Sequence, residues 1–447
     1  MATPSLQDGI DRAGSPIGLL WQPNAEPWTP EVVEREYAGW RVEQAAWHDG
    51  VALLNLSHHM YDMWIEGPDA TRLLAEYGAN NFEKFAVGQA KQYVPVTRHG
   101  KIVTDGILAR KGPESYLLSG VPASQHWVQF HAERAGYDVE FRTDPSSAFR
   151  PGGRAPQLFR YQVQGPLAVQ LVEKVFGAPI PDTKFFHATP IVLDGRHFEA
   201  LRHGMAGQAG YEFIGPWEHA AYVHEAFLTA GEPLGLVQVG ALAYTTPSVE
   251  SGWIPSPVPA IYTDPELVDY RAWLPLFGIE GKRPLQGSYF SEDIEDYYVS
   301  PFELGYGRLV HFGHDFHGRD ALLRAKDQVR RVKVTLVFDP QDVRRVLGAG
   351  ADPGFVLTYA RHRVETASGL VGITMQTASI DPVGTVLAQT LVDAESAAPG
   401  TEVEVVWGQH PGLGTDPGAD LGFPRIRAIV QPSPFDRHAR TDYRRDI

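Results

Sequence analysis

Three histidines, His311, His314 and His317, recur at a spacing of three with Asp315 among them, the pattern in the chain most suggestive of metal. Zinc hydrolases, however, set their histidine pair at i,i+4 on a helix, and structural zinc sites draw on thiolates. The chain has no cysteine, which also removes disulfides and a cysteine nucleophile. No metal is expected. Neither a Gly-x-Ser-x-Gly elbow nor a glycine-rich phosphate cradle at a strand–helix junction is found. Taken singly, the other polar groups decide nothing. His59 reads as a satisfied core histidine, Asp105 as turn chemistry after a strand, Glu212 as a strand-edge carboxylate, and Tyr244 and Trp253 as core aromatics.

The elements that must carry these residues follow from periodicity. Val42 to Leu56 passes from helical to strand-like spacing. Tyr61–Glu66 reads as a strand, and Gly67-Pro68-Asp69 turns into a helix over Ala70–Tyr77. Lys91–Val96 and Ile102–Ala109 read as strands about the His99-Gly100 turn, followed by a strand at Ser115–Ser119 and a helix at Ala123–Ala135. Residues 140–156 read as a surface loop, Phe159–Gln164 as a strand and Leu167–Val175 as a helix. A second mixed unit runs from Thr189 to about Val239. Strand pairs alternating with single helices predict an α+β class, not a doubly wound parallel sheet. Beyond a break at Lys326–Arg331, β-branched runs at Val332–Phe338, Gly369–Thr374, Val386–Val392 and Glu402–Trp407 predict a small all-β domain. The expected division is an irregular N-terminal arm (1–40), a catalytic core (41–326) and a C-terminal β domain (327–447).

With 447 residues, 43% of them hydrophobic, the chain can bury a large core. Its net charge of −15 argues against a nucleic-acid partner, which needs a basic field, and obliges any anionic ligand to be held by local groups. The first residues lack a basic region followed by an apolar stretch, and no apolar run approaches the ~20 residues of a membrane span. A cytoplasmic protein with no membrane partner is expected; the oligomeric state is left open.

Three phrases in collinear order carry a resemblance. They are Asn55-Leu56-Ser57-His58-His59-Met60 with Glu66-Gly67-Pro68-Asp69-Ala70, then Gly210-Tyr211-Glu212-Phe213 after Arg202-His203-Gly204, then Pro301-Phe302-Glu303-Leu304-Gly305-Tyr306-Gly307 with Asp315-Phe316-His317-Gly318-Arg319. Together with Gly100-Lys101-Ile102-Val103-Thr104-Asp105 and Gln164-Gly165-Pro166, they resemble the glycine-cleavage T-protein (aminomethyltransferase) family from about residue 40 to about 410. Glu250-Ser251-Gly252-Trp253-Ile254-Pro255-Ser256-Pro257, Ala260-Ile261-Tyr262-Thr263 and Ile294 to Val299 are closer to its aromatic O-demethylases. The resemblance implies two interlocked α+β units around a folate channel plus a C-terminal β-barrel, with tetrahydrofolate as cofactor and a small aromatic ether as substrate. It implies Glu212 on the pterin, where a carboxylate accepts two parallel N–H bonds, and Asp105 beside the folate nitrogens as a proton acceptor or relay. Tyr244 is implied as the catalytic tyrosine, since its pKa of about 10 is near that of a phenol leaving group. His59 is implied as a substrate-pocket histidine that hydrogen-bonds the ring oxygens or orients Tyr244, and His58 as structural. Trp253, Arg202, Gln92 and Tyr93 complete the expected cofactor contacts.

The chain departs from the vanillate-type demethylases at two places. Val121 stands where they carry an arginine for the substrate carboxylate, and Leu56 where they carry a glutamine. Burying a carboxylate without a cation is costly. Either another basic group serves, with Arg202, His203 and His126 as candidates, or the substrate is neutral. The expected substrate is therefore a methylenedioxyphenyl lignan such as sesamin, giving 5,10-methylene-tetrahydrofolate and a catechol. The alternatives are a methoxybenzoate, vanillate or syringate, giving 5-methyl-tetrahydrofolate, and a folate-binding or assembly protein without transfer chemistry. Val121→Arg should depress activity on a neutral ether by placing an uncompensated cation in an apolar site; unaltered turnover of sesamin in that variant would show that Val121 does not face the substrate.

Overall fold

The computed structural model describes residues 3–30, 32–147, 155–181, 184–255, 257–348 and 354–445. Ser256 and the centre of the 140–156 segment, residues 148–154, lie outside them.

The chain starts one sheet, leaves it to build another, and returns. Ala52–Asn55 opens a six-stranded sheet. The next five strands, Tyr61–Glu66, Ala90–Tyr93, Gly106–Gly112, Ser115–Gly120 and Glu140–Asp144, form a separate five-stranded sheet. Five further strands rejoin the first: Leu158–Gln164, Ala188–Leu193, Arg196–Leu201, Gly210–Pro216 and Val237–Val239. Ala52–Asn55 thus lies between Leu158–Gln164, antiparallel to it, and Val237–Val239, parallel to it.

Period-2 patterning sets which side each strand gives to its helices. Phe159, Tyr161 and Val163 pack with Leu171, Val223 and Phe227 beneath the helices Ala168–Phe176 and Ala220–Gly231. In the second sheet Met63, Ile65, Leu108 and Leu118 pack with Leu73, Leu74 and Val128 of the helices Ala70–Glu76 and Ala123–Ala135. The opposite strand positions Arg160, Gln162 and Gln164 are polar and also buried, so this face points into the protein rather than to water.

The last third closes into a six-stranded antiparallel barrel. Its order is Gly369–Ile380, Arg363–Thr366, Glu402–Val406, Arg425–Gln431, Arg331–Phe338 and Thr385–Asp393, with the last pairing back to the first. Closure leaves no free edge. The expected α+β class with a C-terminal barrel is the architecture observed.

Several local expectations are corrected. The N-terminal segment is not an irregular arm. Helices Leu6–Ala13 and Pro16–Leu20 begin at Ser5 and Ser15, whose hydroxyls accept the amides of Asp8 and Gly18. Leu6, Ile17 and Leu20 are buried with Trp127, Tyr270 and Leu274. The Pro and Gly content that suggests a loop here instead supplies a helix start and an αL stop. Lys91–Val96 and Ile102–Ala109 are not one continuous hairpin: pairing runs from Ala90–Tyr93 to Gly106–Gly112, with a single bridge at Val96 and Ile102. Pro95 cannot donate to a ladder, and the freed stretch carries Asp105. The 140–156 segment begins as the strand Glu140–Asp144, paired to Tyr61–Glu66. The C-terminal domain contains a helix, Pro340–Leu347, started by Asp339 and Pro340. Its strand Arg425–Gln431 went unread because Arg425 and Arg427 occupy the outer face of the alternation.

Because Leu6 is fully buried in a core shared with the body of the protein, Leu6→Ala should lower stability by about 2–4 kcal/mol, measured by denaturant unfolding. A change within about 0.5 kcal/mol would return the segment to a loose arm.

Candidate active site

Arg160 lies between the two sheets. Its Nη1 and Nη2 donate to Asp62 Oδ2 and Oδ1, each at 2.8 Å, and Nη2 also donates to Ser119 Oγ at 2.9 Å. Asp62 and Ser119 belong to the five-stranded sheet and Arg160 to the six-stranded one. The remaining nitrogen, Nε, lies 3.5 Å from Glu212 Oε1. Glu212 sits opposite Gln162 in register and accepts its Nε2 at 2.9 Å. Burial pushes the Glu212 carboxyl up, opposed chiefly by the Arg160 charge.

Arg160 also fixes the loop that carries the histidines. Its carbonyl accepts the Leu56 amide at 2.9 Å, and its amide donates to Ser57 Oγ at 2.9 Å. From this anchored loop His59 reaches Tyr244: the Tyr244 hydroxyl is hydrogen-bonded to His59 Nε2, and it donates to Met205 Sδ at 3.4 Å. Tyr244 ends the short helix Ala241–Tyr244, which starts at Gly240, whose amide donates to the buried Glu43. Burial and the nearby Glu212 charge hold the Tyr244 proton well above the usual phenol range. Burial, with the Arg160 and His58 charges, pulls His59 down to about 3, so its ring is neutral at physiological pH. His59 Nδ1 is buried and has no hydrogen-bond partner among the described residues.

A second cluster surrounds Asp105. Its Oδ2 accepts Gln92 Nε2, Trp253 Nε1 at 2.8 Å and the Tyr306 hydroxyl at 3.4 Å. Burial raises the Asp105 pKa and these three donors lower it. Lys333, from the barrel, interacts electrostatically with Asp105; burial lowers its pKa to about 8. Its Nζ donates to the Gly252 carbonyl. Gly252 has φ +77°, and a Cβ there would stand 2.9 Å from Pro434 Cα, so a glycine is needed to turn the chain and aim Trp253. The barrel also grips this turn from outside. Gln376 Nε2 donates to the Thr245 carbonyl at 2.8 Å, and Gln389 Nε2 to the Trp253 carbonyl at 3.0 Å.

Of the sequence-derived candidates, the structure brings His59 and Tyr244 together, places Glu212 within electrostatic reach of Tyr244, and joins Asp105, Gln92 and Trp253. Leu56 is fully buried in the same apolar cluster as Tyr244 and offers no open surface. Val121 is half-buried just past Gly120, which packs against the Asp105 carbonyl. Tyr93 is directed away: it is fully buried in the helix-side core of its sheet and donates to the Leu74 carbonyl at 3.1 Å. Arg202 is turned toward the C-terminal segment, its Nη2 donating to the Tyr443 carbonyl at 3.0 Å. His58 bonds Ser147 Oγ at 2.8 Å. His311 and His314 stack on each other, whereas His317 packs on Tyr77 and Trp127. Among the described residues no three His, Asp or Glu side chains gather as metal ligands.

Arg160, Gln162, Tyr306 and Lys333 were not found from sequence. Arg160, Gln162 and Gln164 do alternate with Phe159, Tyr161 and Val163, a signal that reads as a solvent face until a second layer is seen to cover it. As arranged, the site holds a protonated phenol beside a neutral imidazole, a buried carboxylate with unused lone pairs, and a second carboxylate able to take up a proton.

Removing the guanidinium would strand Asp62 and Glu212 in the interior. Arg160→Ala should therefore cost about 3–5 kcal/mol of stability, read from thermal or denaturant unfolding; a loss below about 1 kcal/mol would show that the pair is solvated and holds nothing.

Residues 23–256 match the GCVT N-terminal domain. The chain is 36% identical over 451 residues to a syringate O-demethylase from Sphingobium sp., covering 98% of this chain and 97% of that protein. It is 28% identical over 413 residues to a sesamin methylene transferase from Sinomonas sp., covering 84% and 86%. Its fold is similar to that of the glycine cleavage system aminomethyltransferase T from Bartonella henselae, with TM-score 0.62, 17% identity, and 90% and 91% of the two chains covered. The chain belongs to the glycine-cleavage T-protein (aminomethyltransferase) family and is a tetrahydrofolate-dependent one-carbon transferase.

Proposed function

We propose that the protein dealkylates an aryl ether, passing the one-carbon group to tetrahydrofolate, and that its substrate is a methoxylated aromatic acid of the syringate kind. The observation that carries the dealkylation is the buried hydrogen bond between Tyr244 and His59. The higher identity and nearly complete coverage of the syringate O-demethylase support the substrate class.

The residues fit the cofactor. Glu212 uses one normal hydrogen bond, to Gln162, and retains lone pairs for an aminopyrimidine edge. Trp253 is half-buried beside Asp105 and presents a flat apolar surface. Gln92 flanks Asp105 from the neighbouring strand. Bound tetrahydrofolate supplies a secondary amine able to accept a one-carbon group.

The chain's own residues then have these tasks. Tyr244 keeps its proton, because burial and Glu212 both disfavour the phenolate, and donates a hydrogen bond to the ether oxygen as that oxygen gains charge. Neutral His59 orients the Tyr244 hydroxyl by donating Nε2–H to its oxygen, which leaves Nδ1 as an acceptor for a substrate hydroxyl. Asp105, lifted by burial yet ringed by donors, takes up the proton released beside it, with Lys333 compensating its charge. Holding both substrates in one enclosed site makes proximity a large part of the acceleration. Among the described residues no helix is long and apolar enough to cross a membrane.

The apolar Val121 favours a second reading, a neutral methylenedioxyphenyl lignan such as sesamin. Product analysis with tetrahydrofolate separates the two. Syringate should yield a phenol and 5-methyl-tetrahydrofolate; sesamin turned over alone, giving a catechol and 5,10-methylene-tetrahydrofolate, would establish the lignan reading. Tyr244→Phe should bind tetrahydrofolate within about threefold of the parent and lose about 10²–10⁴ in turnover. Full turnover in that variant would remove Tyr244 from the mechanism.

A further inference from the structure

The Tyr244 hydroxyl has one proton to place, and two neighbours decide where it points. His59 donates Nε2–H to the hydroxyl oxygen, so the hydroxyl does not return its own proton along that line. It donates instead to Met205 Sδ, at 3.4 Å. Met205 is half-buried and packs on the apolar cluster that contains Leu56, Leu242 and Tyr244.

A methionine side chain is flexible, so its sulfur stays on the hydroxyl only where the backbone beneath it is fixed. Here the backbone is held from two sides. On one side lies the buried polar face of the first sheet. The Met205 amide donates to Gln162 Oε1 at 3.0 Å, and the Ala206 amide to Gln164 Oε1 at 2.8 Å. Gly204 approaches this face so closely that a Cβ would stand 1.5 Å from Gln164 Nε2, which requires a glycine.

On the other side lies the C-terminal segment, 239 residues further along the chain. The Tyr443 hydroxyl accepts the Gly204 amide and donates to the Gly204 carbonyl, both at 2.6 Å. It is also hydrogen-bonded to His203 Nδ1 at 3.1 Å. The helix Arg437–Thr441 closes over the same loop, where a Cβ on Gly207 would stand 2.6 Å from Ala439 Cβ. Asp436 accepts Gln208 Nε2 at 3.2 Å. One hydroxyl thus occupies both backbone polar groups of the residue that precedes Met205.

A thioether is a weak acceptor, and that suits a hydroxyl that must later serve a substrate. As the ether oxygen gains charge, the bond to sulfur is exchanged for one to oxygen, and little is lost in breaking it. A strong acceptor in the same place would stabilise the resting site and add to the barrier. We propose that Met205 is a positioning residue for the transfer: its thioether, fixed in place by the Tyr443 clamp, holds the Tyr244 proton in a bond readily surrendered to the ether oxygen. The inference rests on the proposed reading of Tyr244 as the donor to that oxygen.

Met205→Gln keeps the length of the side chain and replaces sulfur with a strong amide acceptor. With tetrahydrofolate and whichever of syringate and sesamin the parent turns over, kcat should fall at least about 30-fold, while both KM values stay within about threefold. Met205→Leu keeps the volume but offers no acceptor to aim the hydroxyl, and should lose about 3- to 10-fold in kcat. In a Tyr244→Phe background Met205→Gln should cost nothing more, because no proton is left to hold. Tyr443→Phe should lower kcat in the parent but add nothing in Met205→Gln. An unaltered kcat in Met205→Gln, or in Met205→Leu if the glutamine variant does not fold, overturns the proposal. So does a loss that persists undiminished in the Tyr244→Phe background, and a Tyr443→Phe loss that adds in full to that of Met205→Gln overturns the clamp. Full turnover in Tyr244→Phe, or no turnover of either ether by the parent, defeats the reading of the reaction and the inference with it. A crippled Tyr244→Phe beside a fully active Met205→Gln defeats the inference alone.

Discussion

Everything around the site depends on a guanidinium taken out of water between two sheets. Such a burial is sustained only when the charge is matched and the donors are used. Arg160 meets this with a bidentate pair to Asp62, a hydroxyl from Ser119 and a longer contact to Glu212. The consequences are electrostatic as well as mechanical. The Arg160 charge helps keep His59 neutral, and the adjacent Glu212 charge helps keep Tyr244 protonated. One ion cluster therefore joins the two sheets and reinforces the protonation that burial chiefly imposes on the pair at the reaction site.

The barrel serves the same end from the other side. Gln376 and Gln389 face each other across neighbouring strands, and both amides donate to carbonyls of the segment that runs from Tyr244 to Trp253. Lys333 reaches the turn at Gly252 from a third strand. Rigid strands are a better support for such positioning than loops. The site is thereby clamped between the inner polar face of the first sheet and the polar side chains of the barrel.

Much of this is legible in the sequence where a local rule is sufficient. Tyr61–Glu66 and Ala123–Ala135 follow directly from their periodicity. His59, Asp105, Glu212, Tyr244 and Trp253 emerge because they sit in phrases of a family, not because spacing alone marks them. Residues whose importance is created by a neighbour far along the chain stay hidden. Arg160 occupies the polar side of an alternating strand, which looks identical whether that side meets water or another sheet. Tyr93 was the opposite error: it adjoins Gln92, and in a strand adjacent side chains point to opposite faces.

The out-and-back path of the first sheet has a consequence during synthesis. Ala52–Asn55 pairs with Leu158–Gln164 on one side and with Val237–Val239 on the other, whereas the five-stranded sheet is complete by Asp144. A ribosome delivers the earliest strand first, but its first partner comes only with Leu158–Gln164 and its second only with Val237–Val239. Until residue 239 has emerged, the apolar run Ala52-Leu53-Leu54 keeps at least one edge unpaired, open to strands of another nascent chain. Long-range pairing of this kind slows folding relative to local contacts. The topology that encloses the reaction site thus lengthens the time for which the growing chain exposes a sticky edge.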